Sequence, residues 1–147
     1  EAICQQALQT LRQQANADPH AMAAVAASLG ALHLENKHFA EAEIDLRFCL
    51  DLRVKHDAEH WLRFATESLL GEALLEQQRL EEAGPLLRNG YDGLLSRVGT
   101  LPADSRDEVR SALARLARFS EAAQNTEETA KWKRKLAEYD QSGRIAG

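Results

Sequence analysis

Residues 28–42 read SLGALHLENKHFAEA, and residues 69–83 read LLGEALLEQQRLEEA. Each stretch carries a Leu-Gly pair, an apolar helical remainder, a polar turn and then Glu-Ala opening a second apolar run. Gly30 and Ala42 are 12 positions apart, and so are Gly71 and Ala83. A weaker third copy runs from Leu116-Ala117 to Thr129, where residues 117 and 129 keep the 12-position spacing. Self-similarity of this kind marks a repeat architecture. A small residue in each helix lets two antiparallel helices cross closely. Apolar residues three and four apart fill the space between them.

Working outward from these copies, the periodicity predicts seven helical segments. They cover about residues 1–15, 20–36, 39–56, 58–77, 80–97, 104–124 and 127–139. Asn16-Ala-Asp-Pro19 breaks the first and supplies a cap with Pro at the next helix start. Residues 98–102, Val-Gly-Thr-Leu-Pro, form a loop, and Thr126 is the expected N-cap of the last helix. Residues 141–147 read as a frayed tail. The short connections suit helical hairpins. Ala, Leu, Glu, Gln and Arg are abundant and β-branched residues scarce, which favours helix over strand.

The net charge is −5, so no basic face is available for nucleic acid. The run Lys131, Lys133, Arg134, Lys135 is read as helix-end charge complementing the dipole. The cysteines, Cys4 and Cys49, are read as buried free thiols of a reducing compartment, and the location as cytoplasmic. No stretch is apolar enough to span a membrane. The chain begins at Glu1, inside a helical pattern, and its one methionine is Met22, so a fragment of a longer polypeptide is expected.

The copies resemble the tetratricopeptide pattern, as Leu29-Gly30-x2-His33 with Ala42-x3-Leu46, and Leu70-Gly71-x2-Leu74 with Ala83-x3-Leu87. The pattern's aromatic is replaced by Ala26 and Glu67, and the third copy decays to Ala117, Thr129 and Lys133, as a capping hairpin would. The period is long: Gly30 and Gly71 are 41 positions apart, Gly71 and Ala117 46. This looks like the long repeats of kinesin light chains. Residues 59–94, with Glu59-His60-Trp61 and Gly90-Tyr91-Asp-Gly-Leu94, and the ending from Ser111 to Trp132 look closer to the C-terminal repeat regions of some bacterial serine/threonine protein kinases.

The resemblance implies an all-α fold, an α-α superhelix or solenoid of antiparallel helical hairpins. Residues 1–18 would be the second helix of a truncated repeat, and 19–56 and 57–98 full repeats. Residues 103–140 would be the degenerate capping hairpin, with a tail from 141 to 147. It also implies a concave face lined by first helices. By the repeat's phase this face takes Ala27, Ala31, Leu34 and Glu35, then Ser68, Glu72, Leu75 and Glu76, then Ala114, Arg118 and Glu121. Small and acidic residues there suit a basic or amphipathic protein or peptide. The face carries mainly Ala, Ser and Glu where chaperone-carboxylate clamps use Lys, Arg and Asn, and the asparagine ladder of kinesin-light-chain-like repeats is missing from it.

One spacing hints at chemistry. His56-Asp-Ala-Glu59-His60 fits H-x-x-E-H, a zinc-protease arrangement. With His56 at a predicted loop and no third ligand in view, it is read as a helix-start cap beside Trp61, which would pack between repeats. Glu41, Glu43, Glu81 and Glu82 are read as solvated helix faces. No cofactor or metal is expected, and no catalytic group. The expected function is a protein-interaction scaffold, the recruitment or regulatory region of a signalling protein such as a kinase. The alternative is a structural array that self-associates into a homodimer through Ile3, Leu8 and Leu11 on an exposed first helix.

Overall fold

Three turns of the same construction divide the chain. Each places one non-glycine residue in the left-handed region: Lys37 at φ 61°, Gln78 at φ 62° and Gln124 at φ 57°. The next amide reaches back five residues, from His38 to the carbonyl of His33 (2.8 Å), Arg79 to Leu74 (3.0 Å) and Asn125 to Ser120 (2.9 Å). The left-handed residue's own amide bonds three residues back, to Leu34, Leu75 and Glu121. These paired bonds are a Schellman closure, which satisfies the carbonyls a helix end leaves open.

The structure is a computed structural model describing residues 2–14 and 16–142, apart from the Cys4 side chain. Its α-helices are α1 (Ala2–Gln13), α2 (Pro19–Glu35), α3 (Phe39–His56), α4 (Trp61–Glu76), α5 (Leu80–Ser96), α6 (Asp107–Ala122) and α7 (Thr126–Ser142). Short 3₁₀ turns at Val98–Thr100 and Ala103–Ser105 link α5 to α6, and no strand occurs among the described residues. Consecutive helices pack as neighbours; α4 also touches α2 and α6. Arg47 of α3 reaches Glu82 of α5 at 3.3 Å, and Tyr91 of α5 meets Trp132 of α7 edge-on at 5.4 Å. The helices thus lie in two rows, α2, α4, α6 and α3, α5, α7.

The repeat is physical as well as textual. A Cβ on Gly30 would lie 2.6 Å from Leu46 Cγ, and one on Gly71 2.6 Å from Leu87 Cγ. A side chain at either crossing would force the facing leucine to shift. In the third hairpin Ala117 is buried, but an exposed Lys133 stands where Leu46 and Leu87 stand, and it pairs with Glu121 at 3.1 Å.

Several local expectations hold. Asp18 caps α2 by accepting from His20 N–H at 3.0 Å, with Pro19 at the first position. His60 caps α4 by accepting from Leu62 N–H at 3.3 Å. Trp61 packs, half-buried, against the main apolar cluster, and Cys49 is a buried free thiol. The Cys4 thiol, Glu1, Ala15 and residues 143–147 lie outside the described residues.

Others are corrected. α7 begins at Thr126, and Asn125 is its cap, taking Glu128 N–H on Oδ1 at 3.1 Å. α7 runs on through Gln141 and Ser142, so the basic run sits in its middle rather than at its end. Leu8 is only 3% exposed and Leu11 half-buried, because the apolar face of α1 covers α2 instead of facing solvent. Of the three residues expected on an open face, only Ile3 is exposed. Glu43 is half-buried rather than solvated, for a reason given below.

Candidate interaction faces

The row α2, α4, α6 carries the residues the repeat's phase selects. On α2, Ala27, Ala31 and Leu34 are half-buried and Glu35 exposed. On α4, Ser68 and Leu75 are buried, Glu72 is half-buried and Glu76 exposed. On α6, Ala114 is half-buried, and Arg118 and Glu121 are exposed.

Arg115 joins this set, and nothing in the sequence reading selected it. Its Nε donates to Glu72 at 2.6 Å and its Nη1 to Ser68 Oγ at 3.1 Å. Arg118 donates to the other Glu72 oxygen at 3.3 Å and to Glu76. Two carboxylates one helical turn apart on α4 therefore meet two guanidiniums three residues apart on α6. The signal was there to read: Arg115 and Arg118 share a helix face, as Glu72 and Glu76 do. Of the acids expected to attract a basic ligand, Glu72 and Glu76 are already engaged within the chain, and Glu121 is paired with Lys133, while Glu35 is exposed.

The other row is tied together differently. Glu43 of α3 accepts from Arg47 at 2.9 Å, from Arg79 at 2.7 Å and from Gln77 at 2.9 Å. Glu82 accepts from Arg79 at 2.9 Å and from Arg47 at 3.3 Å. Burial by itself would raise Glu43, but the bonds from Gln77, Arg47 and Arg79 outweigh it and hold its carboxyl below the ordinary range.

Between the rows lie buried polar contacts. His33 Nδ1 is 2.8 Å from Asp45 Oδ2. Thr66, fully buried, donates to Leu62 O at 2.7 Å and meets Arg53 and the Cys49 sulfur. Burial pushes the Cys49 thiol up, and the nearby Arg53 offsets only part of that. Glu67, which stands where the repeat pattern has an aromatic, is 4% exposed and is held by Arg63 at 3.2 Å and by Asn89. The polar substitution survives burial because both carboxylate oxygens find donors.

His56 and His60 do not share a helix face, since one ends α3 and the other caps α4. Among the described residues no group of three His, Cys, Asp or Glu is placed to hold a metal. No helix there is long and apolar enough to cross a membrane.

A cleft of about 450 Å³ opens between α5, α6 and α7, lined by Arg88, Asp92, Leu116, Glu128, Lys131 and Trp132 among others. Smaller ones of about 350 Å³ and 340 Å³ lie beside Arg118 and beside the α6–α7 turn. Compared with protein families and with curated proteins, the chain matches no family model and no curated sequence.

Proposed function

We propose that the chain is a tetratricopeptide-like protein-interaction scaffold, a superhelical array without chemistry of its own. The observation that carries this reading is the thrice-repeated hairpin, with the same left-handed residue and the same backbone bonds at each turn. Stacked hairpins of this kind hold a broad, fixed surface with little else built into it. The row α2, α4, α6 is the receiving face. Its α2 section offers small side chains, and its α4–α6 section offers alternating acids and arginines.

The partner is an amphipathic segment rather than a strongly basic one. Glu72 and Glu76 are matched by Arg115 and Arg118, which leaves little uncompensated negative charge there. An amphipathic helix can lay an apolar stripe on Ala27, Ala31 and Leu34 and exchange polar contacts further along. A cytoplasmic signalling parent such as a serine/threonine kinase fits the repeat's length and its closing hairpin. That context is decided by whether the reading frame upstream of Glu1 encodes a kinase domain.

The face itself is tested with a photo-crosslinker placed at Ala31, with Ile44, 66% exposed on the other row, as the control position. A partner captured from Ala31 and lost in a Leu34→Arg variant is the expected result. Equal capture from Ile44 would sink the assignment.

A further inference from the structure

The two junctions between hairpins are built from matching positions, which makes one a template for the other. The 41-position offset carries Glu43, Arg47 and Asp51 of α3 onto Gly84, Arg88 and Asp92 of α5. The 46-position offset carries Arg79, Glu82 and Leu86 onto Asn125, Glu128 and Trp132.

At the first junction Arg47 and Arg79 close on the carboxylates of Glu43 and Glu82. At the second, one carboxylate and one arginine are missing. Gly84 replaces Glu43, and the ring of Phe119 fills the room: a Cβ on Gly84 would lie 2.7 Å from Phe119 Cζ. Asn125 replaces Arg79. What remains is Arg88, stacked 5.3 Å over the Phe119 ring, with no carboxylate within 4.0 Å among the described residues. Asp92, one turn further along α5, likewise has no cation within that distance, and Glu128 has turned to Lys131 at 3.7 Å. Where the first junction is sealed by ion pairs, the second holds the 450 Å³ cleft.

We propose that this cleft is a docking site for an acidic–apolar peptide segment of a partner protein. The partner's Glu or Asp carboxylate takes on Arg88 the place that Glu43 takes on Arg47. The neighbouring apolar side chain rests on the exposed edge of Trp132, and Lys131, 4.4 Å over the Trp132 ring and paired with Glu128, stands at the rim. Asp92 does not forbid this, because Asp51 stands in the matching place beside an Arg47 that holds two carboxylates. The volume is that of a site for a few side chains. A guanidinium already stacked on an aromatic ring is pre-set for a carboxylate. This surface belongs to the α5, α6, α7 side, so it stands or falls independently of the α2, α4, α6 face.

The test uses the whole chain, labelled with ¹⁵N, and two capped tripeptides, N-acetyl-Leu-Glu-Leu amide and its Gln counterpart. Titration of the Glu peptide should shift the Trp132 indole N–H and the Arg88 Nε–H saturably at millimolar peptide, while Trp61 stays still. The Gln peptide should bind roughly tenfold more weakly, having lost a charge-assisted contact. Arg88→Gln, at an exposed position, should abolish the shifts, and the native spectrum of that variant shows that it folds. Absence of any saturable shift, equal binding of the Gln peptide, or unchanged binding by Arg88→Gln would each overturn the assignment.

Discussion

Lys37, Gln78 and Gln124 hold a backbone conformation that costs an L-residue about 1–2 kcal/mol and costs glycine little. All three side chains are exposed, so nothing is lost by trimming them. Each of Lys37→Gly, Gln78→Gly and Gln124→Gly should stabilise the chain by about 0.5–1 kcal/mol, after the glycine's larger unfolded-state entropy is deducted. Urea unfolding should show a raised midpoint with an unchanged slope. Cys49 gives a second prediction at this scale. Its sulfur is buried and its thiol raised, so the reactive thiolate is scarce at neutral pH. Alkylation mapped to the Cys49 peptide should be slow in the native chain and fast in denaturant. These residues also mark where sequence reading stops. The 12-position spacing exposed the crossings at Gly30 and Gly71. Nothing in a polar turn says which residue turns left-handed, because Lys and Gln have no preference for it. Glu43 was misread because acids at helix starts are usually solvated, and only the approach of α5 brings Arg79 to it.

At the scale of elements, the α4–α5 hairpin is the most closely drawn together. A Cβ on Gly90 would lie 2.8 Å from both Phe64 O and Ser68 N, which are backbone atoms that cannot step aside. At Gly30 only a leucine side chain stands in the way. Gly90→Ala should therefore cost about 3 kcal/mol, at the upper end of overpacking penalties, and Gly30→Ala about 1 kcal/mol. Unfolding of the two variants side by side checks the order; a reversed order would contradict the close approach. The α3–α5 network gives a pH prediction. Glu43's folded carboxyl lies below its unfolded value, so its stabilisation is present above that unfolded value, near 4.5, and is lost as pH falls through the lower folded value. Glu43→Gln should cost about 1 kcal/mol at neutral pH, and the difference from wild type should vanish in acid. A gap that persists in acid would mean the side chain's packing, not its charge, is what matters. Helix boundaries were legible to within a few residues, because caps and prolines announce themselves. The ion pairs that brace each row were not, because they join residues 35 to 46 positions apart.

At the scale of the molecule, the all-helical, hairpin-by-hairpin plan was written in the repeat itself. The fate of α1 was not. A helix without a preceding partner was expected to show its apolar face, yet Leu8 joins Ala23, Ala26, Leu29 and Cys49 in a cluster of its own. That cluster is smaller than the one spanning α3 to α7. A helix that packs mainly on one neighbour, as α1 packs on α2 among the described residues, opens before helices held on several sides. Native-state hydrogen exchange should show α1 opening at a lower free energy than α4 and α5; equal protection would mean that the array unfolds as one unit.

The two junctions are braced on opposite rows, α3 to α5 in one and α4 to α6 in the other. The braces also differ in how they meet water. The Arg47–Glu82 pair, which crosses from α3 to α5, has side chains 45% and 50% exposed, while Arg115–Glu72 has 14% and 21%. Dissolved ions weaken the first kind of contact far more than the second. Rising ionic strength should therefore loosen one joint on one side while the other joint stays stiff. The array then behaves as a beam whose bend is set by salt, with its direction of yield fixed by which row lost its brace.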